Sequence, residues 1–434
     1  MILRDPVHGL ISFEADEFSI VPRLMQADEV QRLRRIRQLG LTSLAYPGAD
    51  HTRFSHAIGA AHVMTRFVGR MRQIQGDLPA PLRVSREQAT LAVAAAFLHD
   101  LGHGPLSHLF EEALPDGPSH EAWTVRLILD PSSSVHRILS ETDRELPERV
   151  AELIGGRHEL AFLSSTVSGT FDVDRCDYLL RDAHFTGVSY GSFDLDWLVR
   201  SLRFGLPEAP GRAPHLAVDG VKGLPAIESF VLARLFMFQQ VYFHKASRAS
   251  EWHFSRILAR IHQIARDGGR IEPMPRGIES LLRHGEASLS DYLALDDNVL
   301  WSALASWRSH ADAILRDLCE RLYSRRLFKT LELFGEERTP GRYRELLEFA
   351  RDRARALGFD PDYYVGLDEA VDVPFDNAKE RLEVIFPDNV ARAPRDVSFI
   401  LGRLSGETLT RTRLVFPKEL RSEVLAQLGS APLS

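Results

Sequence analysis

The hydrophobic residues of the first 265 positions recur with a helical period. Leu33, Ile36 and Leu39 lie three residues apart, and Gly40 follows them. This pattern predicts an amphipathic helix over residues 27–39 that ends at the glycine. The other face of the helix carries four arginines: Arg32, Arg34, Arg35 and Arg37. We expect this basic face to lie in solvent or against a second copy of the chain.

Further helices are predicted along the same part of the chain. One runs from about Phe54 to Ile74. The next begins with a capping box, Ser85 and Gln88, ahead of an apolar run that ends at Leu98. The same periodicity predicts helices over 119–129, 143–154, 174–185 and 225–265. The N-terminal part should therefore be nearly all helical.

Glycine and proline become frequent between residues 267 and 275, which indicates a boundary near 270. Beyond it, helical patterns mix with short strand-like runs at 382–386 and 412–416. We predict a mainly α protein with a helical domain over residues 1–270 and a smaller mixed α+β region over residues 271–434.

Composition narrows the class of protein. Hydrophobic residues make up 44% of the 434 positions and charged residues 26%, which excludes a disordered or fibrous chain. The longest helix-like apolar stretch, Leu91 to Leu98, is far shorter than the roughly 20 residues of a membrane span. The net charge of −7 gives no reason to expect nucleic acid or an anionic membrane as partner. Charged residues near the N-terminus argue against a signal peptide, so we expect a cytoplasmic protein.

A His-Asp pair marks the candidate chemistry. His99 and Asp100 follow the apolar helix directly, and burying them without partners would be costly. A divalent cation resolves that cost, because imidazole and carboxylate together suit Fe, Mn or Zn. His56 begins the preceding predicted helix and Asp174 begins a later one. We predict that His56, His99, Asp100 and Asp174 bind one metal ion.

Seven short stretches around these residues follow one another along roughly the first 250 positions. They are Asp5-Pro6-Val7-His8-Gly9, Gln31-Arg32-Leu33-Arg34, Gln38-Leu39-Gly40, Tyr46-Pro47-Gly48-Ala49, His99-Asp100-Leu101-Gly102-His103-Gly104-Pro105-Leu106-Ser107-His108, Asp172-Val173-Asp174-Arg175 and Tyr242-Phe243-His244-Lys245. In this order they resemble the HD-domain phosphohydrolases, and more narrowly the deoxynucleoside triphosphate (dNTP) triphosphohydrolases. The resemblance implies an HD-domain helical core.

The resemblance also implies an activity, the metal-dependent hydrolysis of dNTPs to deoxynucleoside and inorganic triphosphate. The metal would be Fe, Mn or Zn, with Mg bound alongside the triphosphate. Three basic residues would bind the phosphates: Arg53, Arg175 and Lys245. His108 would donate the proton to the leaving 5′ oxygen, while His103 and His120 bind or orient phosphate.

Sugar selection follows from the same resemblance. Gln38 and Asp182 would read the 3′-hydroxyl, with Leu39 beside them in the substrate site. Tyr242 would lie against C2′ and exclude a ribose hydroxyl, and Tyr178 would lie near the same pocket. The resemblance leaves the preference among the four dNTPs open.

A second nucleotide site is expected at Gln31 and Arg34, which match a family stretch that binds an effector. Gln26 stands where an aspartate reads guanine in the animal enzyme, so an effector other than GTP is expected. We expect a homo-oligomer, a tetramer or dimer, with nucleotide between subunits. On the predicted helix Gln38 lies one turn beyond Arg34, so one helix would link the two sites.

Alternatives remain at this point. The chain could be another HD phosphohydrolase that acts on nucleoside monophosphates, cyclic nucleotides or ribonucleotides. It could also be a non-catalytic scaffold that binds nucleotide or nucleic acid through the arginine face. The histidines could instead be satisfied core residues without metal, and His120 could serve only the start of its helix beside Ser119.

Overall fold

A computed structural model describes residues 1–76, 78–112, 114, 116–169, 171–205, 214–335, 339–375 and 382–429. Within these ranges no helix is both long and apolar enough to cross a membrane. The fold is mainly α, as predicted.

The helices are α1 (Ile20–Leu24), α2 (Asp28–Arg32), α3 (Arg53–Ile74), α4 (Arg86–Leu98), α5 (His108–Glu112), α6 (His120–Leu129), α7 (Ser134–Thr142), α8 (Leu146–Ile154), α9 (Ala161–Ser168), α10 (Val173–Thr186), α11 (Leu195–Ser201), α12 (Leu224–Met237), α13 (Lys245–Arg266), α14 (Arg276–His284), α15 (Leu289–Leu293), α16 (Asp297–Trp307), α17 (Ala313–Tyr323), α18 (Pro340–Ala356), α19 (Pro361–Tyr364), α20 (Pro394–Val397), α21 (Phe399–Leu404) and α22 (Arg421–Gly429). Short 3₁₀ turns include Leu33–Arg35 and Gly40–Leu44, and a π turn spans Phe238–Tyr242.

In the part of the chain that the structure describes, the strands form three small sheets. They are β1 (Ile2–Asp5), β2 (Gly9–Ser12), β3 (Leu202–Phe204), β4 (Leu216–Asp219), β5 (Lys329–Glu332), β6 (Gly366–Asp372), β7 (Val384–Ile385), β8 (Ala391–Arg392) and β9 (Leu409–Phe416). Their spatial orders are β1-β2, β3-β4-β7-β8 and β5-β9-β6. All pairs are antiparallel except the parallel pair β4-β7. The runs predicted at 382–386 and 412–416 do contribute strands, β7 and β9.

Helices α3, α4 and α10 pack together in the largest hydrophobic core. The capping box of α4 is formed, because Ser85 Oγ accepts from the Gln88 amide and Gln88 Oε1 accepts from the Ser85 amide. Every residue from Leu91 to Leu98 is buried, which explains the uninterrupted apolar run. From Leu91 onward α4 is apolar on all sides and has no solvent face. His99 and Asp100 follow directly where the helix ends, and both line the cleft described below.

A second core joins segments from both sides of residue 270. Leu106 and Trp123 pack in it together with residues of α13 to α17. Tyr292 stacks on Trp123 and donates from its hydroxyl to the Gly102 carbonyl at 2.6 Å. Asp297 accepts from the Leu106 amide at 2.8 Å. The division of the chain at residue 270 stays a prediction.

The helix predicted over residues 27–39 is wrong in its second half. Helix α2 ends at Arg32, a 3₁₀ turn follows, and the backbone is extended at Ile36. The Arg37 amide donates to Asp297 and the Gln38 amide to the His51 carbonyl. These distant acceptors replace the helical hydrogen bonds that the periodicity predicts.

The prediction that the four arginines form one exposed face is also wrong for one residue. Arg32 is 1% exposed, and its guanidinium donates to the carbonyls of His103 and Leu295, each at 2.8 Å. A buried guanidinium needs such partners. Only Arg34, Arg35 and Arg37 reach the surface.

The helix predicted over residues 225–265 is broken. It becomes α12, the π turn and α13, and the His244 side chain caps α13 by accepting from the Ala246 amide. The first 265 residues also contain the β1-β2 hairpin and strands β3 and β4, which the helical prediction missed.

Candidate active site

The four predicted metal ligands lie together where helices begin or end. His56 is in the first turn of α3, His99 and Asp100 follow α4, and Asp174 is in the first turn of α10. His56 Nε2 lies 3.4 Å from His99 Nε2 and 3.0 Å from Asp174 Oδ1. The Asp100 carboxylate lies 3.4 Å from His99 Nε2 and 3.6 Å from His56 Nε2. Ligands bound about 2.0–2.2 Å from one cation have such mutual distances.

Outer partners orient both histidine rings. His56 Nδ1 is 2.8 Å from Asp177 Oδ2, and His99 Nδ1 is 2.9 Å from the Ala96 carbonyl. Because a carboxylate and a carbonyl only accept, each Nδ1 carries a proton. In the neutral ring Nε2 then directs a lone pair into the space between the four side chains, where one cation would bind. This is the usual arrangement of metal-binding histidines.

The carboxylates around His56 and His99 favour positive charge in the same space between the four side chains. Burial opposes a charged His56, but Asp174 and Asp177 raise the pKa of His56 to about 10. Burial likewise opposes a charged His99, and Asp100 with Asp174 raises its pKa to about 9. A divalent cation would replace both protons and satisfy the same carboxylates. The residues present therefore fit a metal ion.

A cleft of about 590 Å³ opens over this cluster. Most predicted site residues line it: Gln38, Leu39, Arg53, His99, Asp100, His103, His108, His120, Asp174, Tyr178, Asp182 and Tyr242. His56 is fully buried behind the other ligands. Arg175 and Lys245 are not among the described residues that line the cleft; Arg175 Nε lies 3.8 Å from Asp172, and Lys245 is exposed at the start of α13. Their phosphate contacts stay predictions.

Three histidines form a second cluster beside the ligands. The His103 ring stacks on His120 with 3.9 Å between centroids, and His108 lies edge-on to both at 4.9 Å. His103 Nε2 is 3.2 Å from Asp100 Oδ1, so the two clusters are in contact. Imidazole nitrogens at this place can bind an anion or transfer a proton next to the metal ligands.

Two of these histidines are neutral near pH 7. Burial and the Arg53 guanidinium lower the pKa of His103 well below its ordinary value. His108 is exposed towards the cleft but enclosed on its other sides, and this enclosure, with Arg53 and His120, lowers its pKa to about 4. A bound anion would raise both pKa values, because it stabilises the imidazolium.

Arg53 lies between the two clusters. Its side chain is buried and donates to the Asp100 carboxylate and to Ser107 Oγ. This guanidinium therefore neutralises one ligand carboxylate and adds positive charge at the floor of the cleft, where phosphate oxygens would need it.

A polar pocket lies in the same cleft around Asp182. The Tyr242 hydroxyl donates to Asp182 Oδ2 at 2.7 Å, and His51 Nε2 is 2.8 Å from Asp182 Oδ1. Gln38 Oε1 is buried and has no hydrogen-bond partner among the described residues. The Tyr178 ring lies edge-on to Tyr242 with 6.4 Å between centroids. These groups can exchange hydrogen bonds with a ligand hydroxyl.

The sequence reasoning missed several residues in the cleft or beside it. Glu111 accepts from His120 Nδ1 at 2.7 Å and orients that ring. Arg248 donates to Glu251 at 2.9 Å and to Asp368 at 2.6 Å. Burial and nearby carboxylates, against the attraction of Arg248, raise the pKa of Glu251 to about 7. The only sequence signal for Arg248 and Glu251 was their place in the first two turns after Lys245.

Gln31 and Arg34, the two residues of the predicted effector site, lie in contact on one face, and their binding of an effector stays a prediction. Arg34 Nε donates to Gln31 Oε1 at 2.8 Å, and its guanidinium stacks on Phe54 at 3.6 Å. Gln31 also donates to the Met25 carbonyl. Gln31 lies on α2, Arg34 lies in the 3₁₀ turn after it, and Gln38 lies on neither, so the link through one helix is wrong. Phe54, adjacent to Arg53, is the contact by which this face approaches the cleft.

Comparison with known proteins places these residues in a family. The HD domain matches residues 53–182, and the HD associated region matches residues 193–414. The protein YwfO of Bacillus subtilis strain 168 is 33% identical over 426 residues, which cover 96% of this chain and 92% of that protein. The deoxynucleoside triphosphate triphosphohydrolase SAMHD1 of Danio rerio is 27% identical over 390 residues. Those cover 82% of this chain but 59% of the zebrafish protein.

Two solved structures resemble this chain over almost its whole length. A phosphohydrolase from Bacteroides thetaiotaomicron superposes with a TM-score of 0.79 and 29% identity, over 96% of this chain and all of that one. A protein from Aquifex aeolicus gives 0.72 and 28%, with 99% of each chain covered. The His-Asp cluster lies within the matched HD domain and the α12–α13 residues within the associated region. The chain therefore belongs to the HD-domain phosphohydrolase family.

Proposed function

We propose that this protein is a metal-dependent dNTP triphosphohydrolase that releases deoxynucleoside and inorganic triphosphate. One observation carries the proposal: the Tyr242-Asp182 pair opens into the same cleft as the His-Asp cluster. The distant SAMHD1 relatives, which are named for this reaction, support the same substrate.

The metal would be held by His56, His99, Asp100 and Asp174. Fe, Mn or Zn suits this set of two imidazoles and two carboxylates, and Mg would accompany the triphosphate. A bound cation supplies Lewis-acid activation of water and neutralises phosphate charge. Asp177 and the Ala96 carbonyl keep the two rings in the tautomer that binding requires.

The remaining polar residues would handle phosphate and proton. His103, His120 and Arg53 lie where they can bind the triphosphate, and Glu111 orients His120. The charge of the triphosphate raises the pKa of His108, so His108 becomes protonated when substrate is bound and can donate that proton to the 5′ oxygen. General acid catalysis of this kind contributes about 10²–10⁴-fold. Arg175 and Lys245 are the further phosphate contacts that we propose.

The sugar would lie against Tyr242. Asp182 and Gln38 would read the 3′-hydroxyl, and the buried Gln38 Oε1 would gain the partner it lacks. The Tyr242 ring would leave no room for a 2′-hydroxyl, while Tyr178 and Leu39 enclose the rest of the deoxynucleoside. The proposal thus includes selection against ribonucleotides.

The test is to incubate the metal-loaded protein with each dNTP and each ribonucleotide and to separate the products. Inorganic triphosphate and deoxynucleoside should form from dNTPs, and chelation followed by Mn²⁺ should remove and restore the reaction. Release of monophosphate or diphosphate, or equal turnover of ribonucleotides, would contradict the proposal. Asp100→Ala is the matched inactive control.

We further propose that the working form is a homo-oligomer, a tetramer or dimer, in the cytoplasm. A nucleotide effector would bind at the face formed by Gln31 and Arg34, whose guanidinium is exposed and already stacked on Phe54. Measuring mass in solution and dNTP hydrolysis during titration of a second nucleotide tests both. A monomer with hyperbolic kinetics, unchanged by Arg34→Ala, would contradict them.

A further inference from the structure

We propose that the hairpin β1-β2 positions the metal ligand His56, and that His8 in its turn is a positioning residue. The inference rests on the proposed metal centre and adds a control of that centre from the N-terminal end of the chain. The link is a chain of hydrogen bonds from His8 through Asp177 to His56.

Asp177 is the middle of the chain, and both its oxygens are fully used. His8 Nε2 lies 2.6 Å from Oδ1, and His56 Nδ1 lies 2.8 Å from Oδ2. Arg181 donates to the same two oxygens from Nη2 and Nε at 2.9 and 2.8 Å. Four donors around one carboxylate leave it a single orientation. His8 therefore helps to fix the oxygen that holds the His56 ring.

The turn of the hairpin is tied to the same arginine by a second route. Asp5 Oδ1 accepts from the amides of Val7 and His8, each at 2.9 Å, and Asp5 Oδ2 accepts from Arg181 Nη1 at 2.9 Å. The contacts form a closed ring of Asp5, Arg181, Asp177 and His8. A shift of the hairpin must therefore move Asp177 or break the ring.

Gly59 shows how closely the ring packs on the ligand-bearing helix. It lies three residues after His56 on α3, and a Cβ there would be 1.8 Å from Asp177 Oδ1 and 2.4 Å from Arg181 Nη2. No side chain can occupy this place without displacing the carboxylate. The helix carries glycine where the ring needs the space.

Stability alone does not explain why this ring is built from buried charged side chains. Asp177 and Arg181 are fully buried and the His8 side chain is 4% exposed. Well-packed apolar residues often stabilise a core as much as a buried ion pair does. What an apolar cluster cannot supply is a proton acceptor for His56 Nδ1, which sets the ring and its tautomer for the metal.

Two variants of similar size test the role of His8. The amide of His8→Gln can reach Asp177 in place of Nε2, whereas His8→Asn is too short. We expect the Kd for Mn²⁺ to stay within about twofold of wild type in His8→Gln and to rise about tenfold in His8→Asn. Leu10→Ala, at an exposed position of the same hairpin, is the control and should bind like wild type.

Melting in the presence of a chelator separates folding from metal binding, since the metal-free proteins can be compared directly. KM for dNTPs should stay near wild type in His8→Asn at saturating Mn²⁺, because the sugar pocket is untouched. Equal Mn²⁺ affinity in the Gln and Asn variants would overturn the inference. So would an Asn variant whose loss is matched by Leu10→Ala. A wild-type protein that binds no Mn²⁺ would instead overturn the proposed metal centre.

Discussion

The two ends of the cleft are built in different ways. We call them the metal end, where the proposed ligands His56, His99, Asp100 and Asp174 lie, and the sugar end, where Gln38, Asp182 and Tyr242 would bind the sugar. At the metal end the ligands begin or follow long helices, and the Nδ1 atoms of His56 and His99 have acceptors. At the sugar end, Gln38 comes from a turn and Tyr242 from a π turn, and Gln38 Oε1 has no partner among the described residues.

Only one of the two ends is complete without a substrate. The metal end is held by helix ends and by buried outer partners, so its geometry is set by folding. The sugar end keeps a buried acceptor that a ligand hydroxyl can satisfy, and leaving such an acceptor unpaired costs about 1–3 kcal/mol. Stability and recognition are therefore separated along one cleft.

The largest effect should come from removing a metal ligand. His99→Ala and Asp100→Ala should lose bound metal and detectable hydrolysis, a greater loss than the roughly 10–100-fold typical of an outer partner. Metal analysis and triphosphate release measure the two consequences. Full activity of either variant in the absence of metal would show that the cluster is not the reaction centre.

Removing the proposed acid should slow the reaction without emptying the metal site. We expect His108→Gln to lower kcat by about 10²–10⁴-fold while metal content stays at the wild-type level. Steady-state kinetics on dATP with parallel metal analysis checks this. His136→Gln serves as the histidine control, because His136 lies on α7 and is not among the described residues that line the cleft. A parallel loss of metal would assign His108 to the metal site instead.

The sugar end should respond in selectivity. Tyr242→Ala should raise ribonucleotide turnover relative to dNTP turnover on the order of tenfold, because the ring that would exclude the 2′-hydroxyl is gone. Competing dATP and ATP in one reaction gives the ratio directly. Metal content should not change. An unaltered ratio would place the selectivity elsewhere in the cleft.

The smallest effect should have opposite signs at the two ends. Gln38→Leu should raise the free energy of unfolding by about 1 kcal/mol, because it removes the unpaired buried acceptor, while KM for dNTPs increases. Asp177→Asn should lower the free energy of unfolding, because an amide cannot accept from all four donors. Chemical denaturation of both metal-free variants makes the comparison. Destabilisation by Gln38→Leu would mean that Gln38 is already satisfied.

The sequence predicted that the four proposed metal ligands lie together, because the signals for their positions are local. The Ser85-Gln88 capping box and the apolar run of α4 lead directly to His99 and Asp100. Periodicity also located the starts of α3 and α10, and with them His56 and Asp174. Such features depend on residues three or four apart, which a sequence displays.

The sugar end was harder to predict, because distant partners override local patterns. The amides of Arg37 and Gln38 bond to Asp297 and His51, so the chain leaves the helix that its periodicity predicts. Arg32 looks like a surface arginine, yet its partners include a carbonyl 71 residues away. No spacing rule reveals these pairings.

The loop that carries His103 is anchored from outside the stretch that matches the HD domain. Arg32 holds the His103 carbonyl, Tyr292 the Gly102 carbonyl and Asp297 the Leu106 amide. A fragment cut to residues 53–182 would keep all four proposed metal ligands and lose all three anchors. The HD segment therefore cannot be moved into another protein by itself. Truncated or chimaeric proteins need the flanking sequences on both sides.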